Sequence, residues 1–159
     1  MRQAIEKLEL ANSVHWPGFL NVISKELSHV EENLIYHLPS QSKILSEIIK
    51  HILNAGGKRI RPAICLLTAK ATGGVNPKHI ILSELTELIH TASLIHDDII
   101  DSATLRRGQE TINTLWNDKI SVISGDFLFA QASIRLGILE NTEIVKIYAK
   151  VLSLSLIHI

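Results

Sequence analysis

The sequence is poor in cysteine, proline and aromatic residues, and each shortage narrows what the protein can be. One cysteine, Cys65, excludes a disulfide within the chain and favours a reducing compartment. The 16 basic residues balance the 16 acidic ones, so the total charge gives no reason to expect a nucleic-acid partner. Long apolar runs are also missing, which predicts no membrane span.

The first twenty residues lack the features of a secretory signal. They contain Glu6 and Glu9 and have no continuous apolar run before a small-residue cleavage site. At the other end, the apolar stretch 151–159 stops without a capping residue, as if the helical pattern were cut. We therefore expect a chain without a leader whose pattern is truncated at its end.

The spacing of the apolar residues predicts an all-α fold. They make up 46% of the 159 residues and recur every three or four positions, which is typical of helices with one buried face. Helices are predicted over 20–37, 42–54, a segment beginning at Pro62 and ending at Gly73-Gly74, 78–101, 118–139, and from Thr142 to the end. Residues 102–117 are predicted to be a connecting loop with one turn of helix. The expected architecture is one domain, a bundle of long antiparallel helices.

Three aspartates end the longest predicted helix. At about 100° per residue, Asp97 and Asp101 lie only about 40° apart on one face, with Asp98 beside them. Their negative charges repel one another and oppose the helix dipole, so a cation should compensate. Mg2+ prefers a few carboxylates together with phosphate oxygens, which suits this pair. A solvated helix end is the alternative.

A basic loop supplies the opposite charge. The run Gly56-Gly57-Lys58-Arg59-Ile60-Arg61-Pro62 combines glycines, which let a backbone approach phosphate closely, with arginines and a helix start. Arg106 and Arg107 follow the aspartates and add two cations. The pattern predicts a diphosphate held between Mg2+ and arginine, although a generic basic surface would have the same composition.

Two histidines lie on the same long helix as the aspartates. His90 is about two turns before Asp97 and close to the same face, whereas His96 directly precedes the aspartates. A histidine on an inner helix is more often a hydrogen-bonded core residue than a ligand. The residues alone leave both interpretations open.

Together these motifs resemble the trans-isoprenyl, or polyprenyl, diphosphate synthases. The resemblance lies in Gly56–Pro62, in Ile89–Asp101, in Leu105-Arg106-Arg107-Gly108 and in Gly125-Asp126-Phe127-Leu128, in that order. It spans about residues 31–149 of a partial domain over 1–159, whereas the tail 151–159 looks atypical. Family members are about twice this long, so the resemblance covers the amino-terminal half of an isoprenoid synthase-like fold and lacks the second aspartate-rich motif.

The resemblance implies roles for individual residues. Lys58, Arg61, His90 and Arg107 would bind isopentenyl diphosphate. Asp97 and Asp101 would hold Mg2+ on an allylic diphosphate that Arg106 also touches, and Asp98 completes the catalytic motif. Gly125-Asp126 would start or pack a helix without a catalytic role.

The implied reaction is a prenyl transfer. An allylic diphosphate ionises, isopentenyl diphosphate attacks the cation, and proton loss restores an alkene. In the family, bulky side chains at the positions of Ala92 and Ser93 stop the elongation of the prenyl chain early. Both side chains are small here, which implies a product of geranylgeranyl length or longer. The resemblance also implies a homodimer at full length, in a cytoplasm or a plastid.

Two other functions fit part of the pattern. A non-catalytic subunit of a heteromeric prenyltransferase would share the fold but would usually have lost the aspartates. A metal-dependent phosphohydrolase could use the doublet His96-Asp97, but it gives no reason for the basic glycine loop.

Overall fold

The computed structural model describes residues 18–36, 38, 42–54 and 56–158. A 3-10 helix, Gly18–Ile23, leads into α1 (Ser24–Tyr36), α2 (Lys43–Asn54), α3 (Ile60–Ala71) and α4 (Pro77–Ile100); then come strands β1 (Leu105–Arg106) and β2 (Gln109–Glu110) and helices α5 (Ile112–Leu115), α6 (Asp118–Leu139) and α7 (Thr142–His158). The all-α prediction is confirmed apart from this small hairpin. Most of the segment 1–20, predicted to lack a signal, lies outside the described residues.

Helix α4 is the central element, and its start follows from its sequence. The side chain of Asn76 accepts hydrogen bonds from the backbone N–H groups of Lys78 and His79, at 2.9 and 3.3 Å. Pro77 occupies the first turn, where its missing N–H is not needed. Helices α1, α3 and α6 all pack against α4. This packing fixes the far end of α4, where the aspartates lie.

The start of α3 differs from the prediction. The helix begins at Ile60, so Pro62 is its third residue rather than its first. A proline is tolerated there because the first N–H groups of a helix have no partner within it. The residue before the helix, Arg59, has left-handed backbone angles with φ 44°. The predicted end at Gly73-Gly74 agrees with the helix ending at Ala71.

The predicted loop 102–117 was only partly right. Its single helical turn is α5, but residues 105–110 form an antiparallel hairpin in which Leu105 pairs with Glu110 and Arg106 with Gln109. The two turn residues, Arg107 and Gly108, have φ values of 54° and 79°. Tight hairpins require such positive φ angles, and the usual signal is Asn-Gly or Asp-Gly. Because arginine occupies the first turn position, the sequence lacked this signal and the turn was not predicted.

Helix α6 is long and apolar enough, by length and composition alone, to cross a membrane. Core helices of globular proteins pass the same test. Its inner face carries buried polar residues, among them Gln131 and Arg135. Arg135 donates from Nε to a carboxylate oxygen of Glu84 on α4 at 2.8 Å. These contacts are those of a helix packed into a protein core.

Candidate active site

The three aspartates at the end of α4 have different environments. Asp97 is half-buried, Asp98 is buried and Asp101 is exposed. Asp98 accepts hydrogen bonds at both carboxylate oxygens from Nε of Arg106, at 2.8 and 2.9 Å, and Nη2 lies 2.7 Å from Oδ1. Within the described part of the chain, no ion pair involves Asp97 or Asp101. The helix therefore leaves two unpaired carboxylates about one turn apart.

Arg106 lies close to all three aspartates. Its hydrogen bond to Asp98 raises the pKa of its guanidinium above the ordinary value, burial opposes this, and the charges of Asp98, Asp97 and Asp101 raise it further. Arg106 is thus held at the acidic end of α4 by the buried aspartate. Because it also lies near Asp97 and Asp101, its positive charge can act on a ligand bound at this end of the helix.

The carboxylate pair suits a metal that needs more ligands than this site provides. Across residues 18–36, 38, 42–54 and 56–158, no three His, Cys, Asp or Glu side chains are grouped so as to enclose an ion. Mg2+ is commonly held by one or two carboxylates, with water and substrate phosphates completing its octahedron. The hard oxygen donors of Asp97 and Asp101 fit that arrangement.

The glycine loop before α3 brings two arginines together. Gly56 has φ 70°, and its carbonyl oxygen accepts a hydrogen bond from Nη1 of Arg107. A Cβ on Gly57 would lie 2.8 Å from Nη1 of Arg107 and 3.0 Å from Nη1 of Arg59. Gly56 provides the positive φ of the loop, and the absence of a Cβ at Gly57 leaves room for both guanidinium groups beside it. This contact joins the loop to the hairpin.

An open cleft lies between the loop, α4 and the hairpin, with a volume of about 600 Å3 when the solvent at its mouth is included. Its polar lining includes His51, Gly56, His90, Asp98, Arg106 and Arg107, and Leu94, Ile95 and Ile112 provide apolar walls. Four other charged residues predicted for the site, Lys58, Arg61, Asp97 and Asp101, lie outside this lining. Lys58 and Arg61 are exposed on or next to the loop. The cleft thus brings together only some residues of the aspartate motif and of the basic motifs.

His90 faces the cationic side of the cleft. Burial lowers the pKa of its imidazole, and the charges of Arg61, Arg107 and Arg106 lower it further, although Glu87 acts in the opposite direction. These effects place Arg61 near His90 even though Arg61 does not line the cleft. The neutral form of the ring is therefore favoured, and the three arginines near it favour an anionic ligand.

His96 packs into the helix interface instead. Its Nε2 lies 3.3 Å from the carbonyl oxygen of Val122 on α6 and 3.7 Å from a carboxylate oxygen of Asp126. Its ring contacts Phe129, with ring centroids 5.6 Å apart. A Cβ on Gly125 would lie only 2.2 Å from Nε2. Gly125 is needed because this ring occupies the space beside it, in the middle of α6 rather than at a helix start.

The chain matches the polyprenyl synthetase family over residues 42–157. It belongs to that family. A prenyl transferase of Porphyra purpurea is 49% identical over 134 residues, which cover 82% of this chain and 42% of the relative. The chloroplastic solanesyl-diphosphate synthase 2 of Oryza sativa subsp. japonica is 41% identical, over 85% of this chain and 35% of its own length. The chain therefore spans less than half the length of these polyprenyl synthetases.

Solved structures of the polyprenyl synthetase family share the fold. A decaprenyl diphosphate synthase from Rhodobacter capsulatus superposes with a TM-score of 0.77 at 35% identity, over 81% of this chain and 40% of that one. A polyprenyl synthase from Caulobacter crescentus CB15, complexed with calcium and isoprenyl diphosphate, gives 0.78 at 31% identity, over 82% and 40%. The predicted isoprenoid synthase-like architecture is confirmed.

Several residues around the cleft of this polyprenyl synthetase chain were missed by the motifs. His51 of α2 lies 2.9 Å from the carbonyl oxygen of Glu110 and packs edge-on against Trp116. Glu31 and Glu87 both bind Arg59. No local pattern could reveal these contacts, because His51 and Glu110 are separated by 59 positions in the chain.

Proposed function

We propose that the protein containing this chain is a trans-polyprenyl diphosphate synthase. It would condense isopentenyl diphosphate with an allylic diphosphate and make a product of geranylgeranyl length or longer. The observation that carries the proposal is the cleft in which His90, Arg106 and Arg107 meet beside the carboxylate end of α4. Arginine forks bind phosphate oxygens well, so this lining suits a diphosphate.

The residues of the aspartate and basic motifs have different proposed roles according to their positions. Asp97 and Asp101 would hold Mg2+, which when bound stabilises the charge of a departing diphosphate. Arg106, anchored by Asp98, would contact the allylic diphosphate from the same side. Lys58, Arg61, His90 and Arg107 would bind isopentenyl diphosphate. The apolar walls of the cleft would help to keep water from an allylic cation.

Binding of isopentenyl diphosphate would change the charge balance at His90. The arginines that lower the pKa of the imidazole would be neutralised by the bound diphosphate. The neutral ring of His90 can then donate a hydrogen bond from its N–H group to a phosphate oxygen. Alternatively, the ring can take up a second proton and carry a positive charge. Both states favour the anion.

The size of two side chains supports a long product. Ala92 is fully buried in the core on the face that α4 turns inward, and Ser93 is half-buried with its hydroxyl donating to the carbonyl oxygen of His90 at 2.8 Å. Neither side chain would obstruct a growing prenyl tail. The names of the solanesyl and decaprenyl relatives agree with long products.

The test is a prenyl-transfer assay with two proteins. This chain and a version extended to the length of its relatives are mixed with labelled isopentenyl diphosphate, an allylic primer and Mg2+. We expect elongation by the extended protein and binding without turnover by the chain alone, because only the first aspartate-rich motif is present here. Loss of elongation is expected when Asp97 and Asp101 are both replaced by Asn in the extended protein.

The same assay separates the alternatives. Phosphate release without elongation would favour a phosphohydrolase, and activity that appears only with a second protein would favour a non-catalytic subunit. The extended protein is proposed to act as a homodimer. A plastid or a bacterial cytoplasm is its proposed location, since relatives include chloroplastic enzymes.

A further inference from the structure

Arg59 lines the cleft, but its guanidinium is fully occupied by contacts within the protein. Its Nε and Nη2 donate to the two carboxylate oxygens of Glu31 at 2.6 and 2.9 Å, and Nη1 donates to Glu87 at 2.9 Å. Nη2 also lies 3.3 Å from the carbonyl oxygen of Leu53. Only 5% of the residue is exposed. Every nitrogen of its guanidinium is engaged, so Arg59 is poorly placed to bind a ligand directly.

The partners of Arg59 come from three separate helices. Glu31 belongs to α1, Glu87 to α4, and Leu53 to the last turn of α2. Burial lowers the pKa of Arg59, but the hydrogen bonds and charges of the two glutamates outweigh it and leave the pKa above its ordinary value. The guanidinium therefore stays charged and fixed, tying the three helices to the glycine loop.

The backbone of Arg59 is strained in a way that needs such support. A left-handed conformation is unfavourable for a residue with a Cβ, and it persists only where surrounding contacts impose it. At φ 44° this conformation sets the direction in which the chain enters α3, and so the positions of Lys58 and Arg61 on either side. Gly57 rests directly on the same guanidinium, beside Arg107.

We propose that Arg59 is a positioning residue: clamped by Glu31 and Glu87, it holds the glycine loop so that Lys58, Arg61 and Arg107 present their charges to the diphosphate. This inference rests on the proposed function, because it assigns the loop to diphosphate binding. Arg59 acts through its neighbours and makes no contact with the ligand.

Glu31→Gln tests the inference, because Glu31 supports Arg59 without lining the cleft. The substitution removes one charge and replaces an acceptor by an NH2 group facing the guanidinium, so the two-point contact is lost. Glu84→Gln is the matched control: Glu84 is also paired with a buried arginine, Arg135, but that pair joins α4 to α6 instead of to the glycine loop. Both variants should lose thermal stability to a similar degree.

Isothermal titration of this chain with isopentenyl diphosphate gives the first readout. We expect Glu31→Gln to weaken binding about tenfold, the kind of loss that a displaced contact group produces, and Glu84→Gln to leave the dissociation constant within about twofold. Arg59→Lys should also weaken binding relative to the wild-type chain, because a single ammonium cannot pair with both glutamates as the guanidinium does. Equal losses in the two glutamine variants, or wild-type affinity in Arg59→Lys, would overturn the inference.

Amide chemical shifts give a second readout that needs no ligand. The Gly56 and Gly57 amides should shift in Glu31→Gln and stay in place in Glu84→Gln. If the wild-type chain does not bind isopentenyl diphosphate, the proposed function of the loop is wrong, and the positioning role is then decided by these shifts alone. Unchanged glycine shifts in Glu31→Gln would refute it.

Discussion

Replacing Gly125 by alanine should destabilise the chain, although alanine favours helices. In an open helix the change would stabilise by about 1 kcal/mol. Here the added Cβ would lie 2.2, 2.6 and 3.0 Å from three atoms of the His96 ring. The ring cannot easily move, because it is hydrogen-bonded to Val122 and packed on Phe129. Overpacking of this kind costs about 1–3 kcal/mol, so after the gain of about 1 kcal/mol the expected net loss is up to about 2 kcal/mol.

A second glycine of α6 provides the control. Among the described residues, no atom beyond the helix's own backbone lies within 4 Å of the point where a Cβ on Gly137 would stand. Gly137→Ala should therefore gain up to about 1 kcal/mol. For a chain of this size, about 1 kcal/mol corresponds to about 2–4 °C in Tm. Thermal and urea unfolding, followed by circular dichroism, would show shifts of opposite sign from the same substitution in one helix.

The double variant His96→Ala with Gly125→Ala tests the stated cause. Removing the ring creates room for the new Cβ, so on that background Gly125→Ala should become neutral or stabilising. Two results would refute the reasoning: shifts of the same sign for Gly125→Ala and Gly137→Ala, or the same cost of Gly125→Ala with and without the imidazole. Either would mean that α4 and α6 do not meet as described.

Other changes probe the cleft itself. Arg106→Ala should cost about 1–3 kcal/mol in urea unfolding by leaving the Asp98 carboxylate buried and unpaired, and Asp98→Asn should reduce that cost in the double variant. The pKa of His90 is lower in the folded chain than in the unfolded chain, where it is about 6.5, so unfolding takes up a proton below this pH. The free energy of unfolding should therefore fall as the pH drops through this value. The fall should be smaller in His90→Gln. Ala92→Phe in the extended protein should shorten the product seen by chromatography, and an unchanged length would contradict the proposed path of the prenyl tail.

Local signals predicted the long helices well. Asn76 and Pro77 predicted the start of α4, and α6 covers 118–139 as the apolar spacing indicated. In both cases residues near in sequence determine the boundary. The hairpin and the start of α3 were missed because each depends on an arginine with positive φ, Arg107 and Arg59, whose strain is supported by contacts from other elements.

The site was predictable in its parts more than in its assembly. The acidic and basic groups each belong to short motifs, so their composition indicated a metal and a diphosphate. Which members face the cleft depends on how distant segments pack, as the pairing of Arg59 with Glu31, separated by 28 positions, illustrates. Periodicity carries no information about such a pair, because both residues could equally well have been exposed.

One distinction within the aspartate motif could have been drawn from the helix alone. Asp98 lies on the same face of α4 as Leu88, Thr91 and Ile95, all of which are buried. A carboxylate on that inner face must be paired with a cation, and Arg106 satisfies it. Asp97 and Asp101 are rotated away from the buried stripe. The helical repeat thus separates the aspartate that anchors an arginine from the two that we propose as metal ligands.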